Sequence, residues 1–226
     1  MRTLFLLIFL GFSYLYTHAA TLTVCASGCD HTTIADAITA ASSGDVIDIQ
    51  NAIHTEAGII VDKNLTIQGQ GQRTTTVQAA ATQATATDGV FLVDVAGLTV
   101  TFQDLRIRNG NAISNSGSTT FNDGGGVFIF CDANTNVNLN RVTITNNRAD
   151  NDDGGGVYIF GNNGTVSFTD CVISNNEANT SDSGADGGGV HNIGTDLLNF
   201  NRCTITGNRA GDDGGGVYNF KRCSTL

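Results

Sequence analysis

The side chains able to do chemistry in this chain recur at regular places. Asp123, Asp153, Asp186 and Asp213 each stand immediately before Gly-Gly-Gly-Val, and a weaker copy reads Asp88-Gly89-Val90. Such a column of carboxylates supports two readings. Each carboxylate can cap the N–H groups of its own glycine turn. Alternatively the column, with Asp152 and Asp212 beside it, can supply the oxygen ligands that calcium takes. The Gly-Gly-x-Gly-x-Asp nonapeptide of calcium β-rolls is absent, so calcium, the one cofactor the pattern allows, competes with plain turn capping. Asp212 and Asp213 are the only adjacent carboxylates that invite a catalytic reading, but Asp152-Asp153 repeats them at an equivalent turn, which points to structure. Tyr158, His191 and Tyr218 follow the valines, in line with Phe128. Facing solvent, they would form a stripe able to stack on sugars; sharing parity with Phe130, Phe160, Ile193 and Phe220, they equally suit a packed interior.

The elements that position these residues follow from the repeat. The valines of the glycine block (Val90, Val127, Val157, Val190 and Val217) stand 37, 30, 33 and 27 residues apart. After each of the first four comes a second block, at Leu105–Gly110, Val142–Asn147, Cys171–Asn176 and Cys203–Asn208, and between them lies an apolar pair such as Val137/Leu139. Three short period-two runs separated by turns exclude a helical solenoid. They fit one coil of a parallel β-helix, in which each strand pairs with its equivalent in the next coil. The expected inward ladders are Leu105/Val142/Cys171/Cys203 and Ile107/Ile144/Ile173/Ile205. Outward, Arg141/Asp170/Arg202 and Arg148/Glu177/Arg209 alternate in sign, as stacked charges must to avoid repulsion. Thr143/Val172/Thr204 and Thr145/Ser174/Thr206 form a hydroxyl-rich strip that gives way upstream to Arg106 and Arg108, too short to favour ice binding.

Composition agrees. The chain has 226 residues, 28 glycines, 23 asparagines, 29 threonines and no proline. A strand paired on both edges tolerates no residue lacking an N–H, and abundant turn and strand formers argue against a helical bundle. The net charge of −10 argues against nucleic acid or anionic membrane as partners. Residues 1–20, with Arg2, an apolar run over 4–15 and small residues Ala19 and Ala20, read as a signal peptide; residues 21–45 read as an N-terminal cap and 46–226 as the β-helix. No later segment could cross a membrane as a helix. A short helix is expected from Ile34, with Thr32 or Thr33 as cap, covering the open end of the first coil. Strands are expected at Val46–Ile49, Ile59–Val61 and 65–67. After Phe220 the chain stops within six residues, so missing sequence or another chain is expected over that edge.

Six cysteines in an exported chain suggest disulfides. Cys25 and Cys29 are placed to bridge locally. Cys171 and Cys203, in one inward column, form either a strained bridge or a buried thiol ladder. Cys131 and Cys223 lie too many coils apart to pair.

On these motifs the chain resembles secreted right-handed parallel β-helix proteins of the pectin-lyase-like superfamily. Thr23-Val24-Cys25-Ala26-Ser27-Gly28-Cys29, the helix and Gly44-Asp45-Val46-Ile47 are similar to the start of many such proteins. The repeats resemble those of chlamydial polymorphic outer-membrane proteins, with Gly-Gly-Gly-Val for Gly-Gly-Ala-(Ile/Leu/Val) and Ile144-x-x-Asn147 for Phe-x-x-Asn. The resemblance implies an all-β solenoid on a bacterial surface or outer membrane, or secreted. The superfamily also includes pectate lyases and polygalacturonases. Gly211-Asp212-Asp213 matches the letters of the polygalacturonase Gly-Asp-Asp, but no His-Gly or Arg-Ile-Lys element follows, and lyase signatures containing proline cannot occur. The expectation is therefore a non-catalytic, adhesin-like protein that binds a glycan or protein through the loops at 112–122, 149–152, 178–185 and 210–212. The alternative is a carbohydrate-active enzyme, a polysaccharide lyase or glycoside hydrolase, or its truncated remnant.

Overall fold

The computed structural model describes residues 18–94, 96–113, 123–150, 153–179, 181, 183–194 and 197–220. Residues 1–17 of the expected signal peptide (1–20), the loop 114–122, Asp152 and Cys223 lie outside the described residues. The architecture is the right-handed parallel β-helix expected from the sequence. Among the described residues, every strand pairing is parallel and joins equivalent positions of successive coils.

The largest sheet runs through Thr21–Val24, Val46–Ile49, Leu65–Gln68, Thr99–Arg108, Asn136–Thr145, Thr165–Thr169 and Leu197–Asn201. The second halves of its long strands are continued by Thr76–Gln78 on one side and by Val172–Ser174 and Thr204–Thr206 on the other. A second sheet holds the valine strands: Ile59–Val61, Phe91–Val93, Val127–Phe130, Val157–Phe160, Val190–Ile193 and Val217–Phe220. The inward ladders have the expected register, Leu105 opposite Val142 and Ile107 opposite Ile144 opposite Ile173 opposite Ile205. With Val127, Ile129, Phe102 and Phe168 they form one apolar core along the axis. Strand pairing on both edges accounts for the missing prolines.

A third, narrow sheet was not legible in the sequence: Asn111–Ala112, Arg148–Ala149 and Glu177–Ala178. Two residues per strand carry too little alternation to register as a pattern. The corner before it is tight. Asn109, Asn146 and Asn175 adopt positive φ of 54–56°, a conformation asparagine tolerates. The residue that follows then points inward, and Asn147 and Asn176 are fully buried. They survive burial because they hydrogen-bond one another: Asn147 Nδ2 donates to Asn176 Oδ1 at 3.1 Å, and Asn176 Nδ2 to Asn208 Oδ1 at 3.0 Å. A buried amide with every group paired specifies register instead of weakening the core.

The helix Ile34–Ala40 follows its Thr33 cap, whose hydroxyl accepts from Asp36 N. It buries Ile34, Ala37 and Ile38 against the first strands of the stack. Glu56 fixes the start of the helix by accepting from Ile34 N at 2.7 Å, Ala35 N at 3.0 Å and His54 Nε2 at 2.8 Å. Burial pushes the Glu56 carboxyl up, but these bonds outweigh it, and the net shift is downward. The Cys25–Cys29 disulfide lies just before. Cys171 and Cys203 are not bridged; burial pushes the Cys171 thiol up to about 11, which keeps it protonated and inert. Among the described residues, no helix is long and apolar enough to cross a membrane.

Candidate functional site

The repeated aspartates occupy one column, and each carboxylate answers the coil beyond its own. Asp123 Oδ1 accepts from Asp153 N at 3.0 Å, Asp153 Oδ1 from Asp186 N at 2.6 Å, and Asp186 Oδ1 from Asp213 N at 2.7 Å. The glycines explain why the corner repeats so strictly. Gly154 has φ +66°, and a Cβ on Gly155 would lie 2.3 Å from the Glu177 carbonyl, backbone that cannot give way. A Cβ on Gly156 would likewise meet the Gly189 carbonyl and the Asn176 amide. The triplet thus makes room for the third sheet and the asparagine ladder. Among the described residues, no group of three or more His, Cys, Asp or Glu side chains converges to hold a metal ion. Asp212 and Asp213 are exposed at the last corner, and Asp212 N donates to Ala185 O.

The aromatic column lies on the outer face of the second sheet but is covered. Tyr158 is 7% and His191 2% exposed, and with Phe128 and Leu92 the tyrosine forms a small cluster separate from the main core. Rings stack coil on coil: Phe128 to Tyr158 at 5.2 Å, Tyr158 to His191 at 5.2 Å, and His191 to Tyr218 at 4.9 Å, edge-on. The glycine corners fold over this column; a Cβ on Gly154 would touch the Tyr158 side chain. His191 Nδ1 lies 3.1 Å from Asp153 Oδ2, without hydrogen-bond alignment. Tyr218, half-buried at the end, has its phenol pushed up by burial and by the nearby Asp186, Asp213, Asp153 and Asp212. Neither Tyr158 nor His191 offers an open ring face to a sugar.

On the outer face of the first sheet the repeated columns change character at Thr99–Arg108. Between Leu65–Gln68 and Thr76–Gln78 the chain makes an excursion over residues 69–75. It is tied to the sheet by Gly69 N to Gln103 O at 3.0 Å, Gly71 N to Asp104 O at 2.8 Å and Arg106 N to Thr75 O at 2.8 Å. Gln72 reaches further, accepting from Thr143 Oγ1 at 3.4 Å. Arg106 sits in register between Thr76 and Thr143. Arg106 is half-buried, and its Nε is buried with no hydrogen-bond partner, a costly state for a polar N–H. Arg108 donates from Nε to Gln78 Oε1 at 3.0 Å. Among the described residues no acid pairs with Arg106, Arg108 or the exposed Arg73.

Arg141 and Arg202, on the same face, are answered. Arg141 makes a two-pronged contact with Asp104 (2.7 and 2.6 Å), and Arg202 does the same with Asp170 (2.6 and 2.7 Å). Those bonds raise both guanidinium groups above their ordinary value and hold the Asp170 carboxyl below its own. The alternating charge column expected from the sequence is therefore present and gains Asp104 at its start. Arg148 contacts Asp150 and, at 3.6 Å, Glu177. Sequence reasoning noticed Arg106 and Arg108 only as the end of a hydroxyl strip. The usable signal was that they are charges in a column with no opposite charge above or below.

No family model and no curated protein matches the chain. It is similar in structure to a pectin methylesterase D178A mutant in complex with a hexasaccharide, at 18% identity and TM-score 0.42 over 79% of this chain and 66% of that one. It is similar also to the pectin methylesterase PemA from Erwinia chrysanthemi, at 22% identity and TM-score 0.46 over 78% of this chain and 54% of that one. The chain thus spans about half to two thirds of the length of the structures it matches. These neighbours are pectin methylesterases, a finding that goes against the non-catalytic, adhesin-like expectation. Tyr158 and His191, named with Tyr218 as candidate ligand-binding residues, are packed under the glycine corners instead of lining an open surface.

Proposed function

We propose that the chain is an exported carbohydrate-active β-helix protein that takes an anionic polysaccharide across the outer face of its first sheet, at Arg106 and Arg108. The observation that carries this reading is the buried Arg106 Nε with no partner. A guanidinium presents donors in a fixed fork that matches a carboxylate or sulfate. Next to it stand Arg108, Gln78 and Thr143, whose amide and hydroxyl groups suit the hydroxyls of the same chain. The overall charge of −10 does not oppose this. Much of it sits in the aspartate corners, and repulsion beyond roughly 8 Å is screened at physiological salt. Export is supported by residues 1–20 and by the Cys25–Cys29 disulfide.

The test is affinity electrophoresis through gels containing polygalacturonate, methyl-esterified pectin, alginate or a neutral glucan, with the same polymers assayed for unsaturated products and reducing ends, and the esterified pectin also for released acid. Retardation by a uronan, weakened by salt and by about tenfold in Arg106→Gln, is expected. Equal retardation by the neutral glucan, or an unchanged Arg106→Gln, overturns the reading. Turnover lost in Asp212→Asn or Asp213→Asn would place the chemistry at the last corner instead.

A further inference from the structure

Beside the arginine face, around the asparagine corner, lies a pocket of about 360 Å³ lined by Gln83, Ala84, Asn111, Ile113, Arg148 and Asp150. One wall is the short 3-10 turn Gln83–Thr85; the other is the third sheet. Asn109 ties the two together, donating from Nδ2 to the carbonyls of Ala80 and Ala81 at 3.2 and 3.0 Å.

Asn111 is 5% exposed, and its two polar atoms are treated unequally. Nδ2 donates to Asp150 Oδ2 at 3.0 Å, whereas the buried Oδ1 has no partner. The other Asp150 oxygen faces Arg148 Nε, and Arg148 also reaches Glu177. The Arg148–Asp150 pair leaves the pocket lining with no net charge, unlike the Arg106 and Arg108 stretch. A carboxylate, which brings only acceptors, is disfavoured against the oxygens of Asn111 and Asp150. What the unpartnered acceptor lacks is a donor, and Asp150 and Arg148 beside it can accept from and donate to an adjacent oxygen. An acceptor, a carboxylate and a guanidinium within one pocket match the alternating donor and acceptor character of neighbouring hydroxyls on a sugar ring.

We propose that this pocket is a subsite for an uncharged sugar unit, held through adjacent hydroxyls by Asn111 Oδ1 and the Asp150–Arg148 pair. The volume admits one sugar ring with water to spare. A single unit without further contacts should bind at about millimolar strength. The assignment stands whether or not the arginine face binds an anionic chain.

The experiment uses the 15N-labelled chain titrated with D-glucose, D-galactose, D-mannose and L-arabinose, and separately with D-glucuronate. At least one neutral sugar should shift the Asn111 side-chain amide and the Ala84 amide, with glucuronate at least tenfold weaker. Asn111→Ala should abolish the shifts. Ala84→Trp, on an exposed turn away from the ladders, should do so by filling the pocket even if Asn111→Ala fails to fold. Arg106→Gln should leave them unchanged. Absence of shifts with all four neutral sugars overturns the proposal, as does equal binding of glucuronate or saturable shifts that survive Ala84→Trp.

Discussion

The glycine corner and the arginine stretch are the two extremes of this molecule. At the corner, Asp153, Gly154, Gly155 and Gly156 recur in four coils, and Asp153 Oδ1, Gly154 N and Gly156 N each find a partner in the next coil. Along Thr99–Arg108 the columns change character: Arg106 and Arg108 stand where later coils carry Thr143 and Thr145, then Val172 and Ser174. In a solenoid each coil contacts only its neighbours, so a residue that repeats can be satisfied by its own copies, as the corner aspartates and buried asparagines are. A residue that breaks the repeat has no copy to answer it. Repetition marks the scaffold here, and an unanswered exception marks the candidate site.

Substitutions can break that distinction, beginning where the effect should be largest. Gly155→Ala drives a methyl into the Glu177 backbone and should cost at least about 3 kcal/mol, read from chemical denaturation. A midpoint equal to the parent's would mean the corner is looser than its repetition implies. Asn147→Ala removes a link that bonds Asn176, the Ile107 carbonyl and Gly110 N. A loss of about 2–3 kcal/mol is expected, and a smaller loss in Asn208, at the half-open end, would confirm that neighbours set the value.

Glu56 sharpens the comparison from another side, being unrepeated yet fully answered by three donors. Its depressed folded-state pKa means that its contribution is complete above the ordinary glutamate value of 4.5 and is lost as pH falls through the lower folded value. Glu56→Gln should therefore cost about 1–2 kcal/mol at neutral pH and progressively less in acid. A pH-independent difference would assign the loss to packing. Asp104→Asn, which unpairs an exposed Arg141, should give the smallest stability loss, erased by high salt. Arg106→Gln should cost little stability, since the buried Nε has no partner in the fold to lose. A destabilised Arg106→Gln would move that residue to the scaffold side.

Much of the fold was legible because its signals are local and repeated. The valine spacing, the inward Leu105/Val142/Cys171 and Ile107/Ile144/Ile173 ladders, the helix from Ile34 and the charge alternation at Arg141, Asp170 and Arg202 each follow from side-chain parity and like-for-like stacking. The candidate site was not legible for the opposite reason. Whether Tyr158 and His191 are open or covered depends on a glycine corner folding back over them, which parity along one strand cannot express. Whether Asn111, Gln83 and Asp150 meet depends on residues 69–86 leaving the regular coil and returning beside the third sheet.

The sequence alone therefore determined the solenoid, its register and the exclusion of proline, because each coil's pattern must match the next. Only the tertiary structure decided which polar groups are answered. That Asp153 caps the next coil, that Asn147 joins a buried ladder, and that Arg106 Nε and Asn111 Oδ1 are left without partners are facts about neighbours distant in sequence. Burial turns each of them into a matter of free energy, since a polar group removed from water must be paired by the protein or by what it binds.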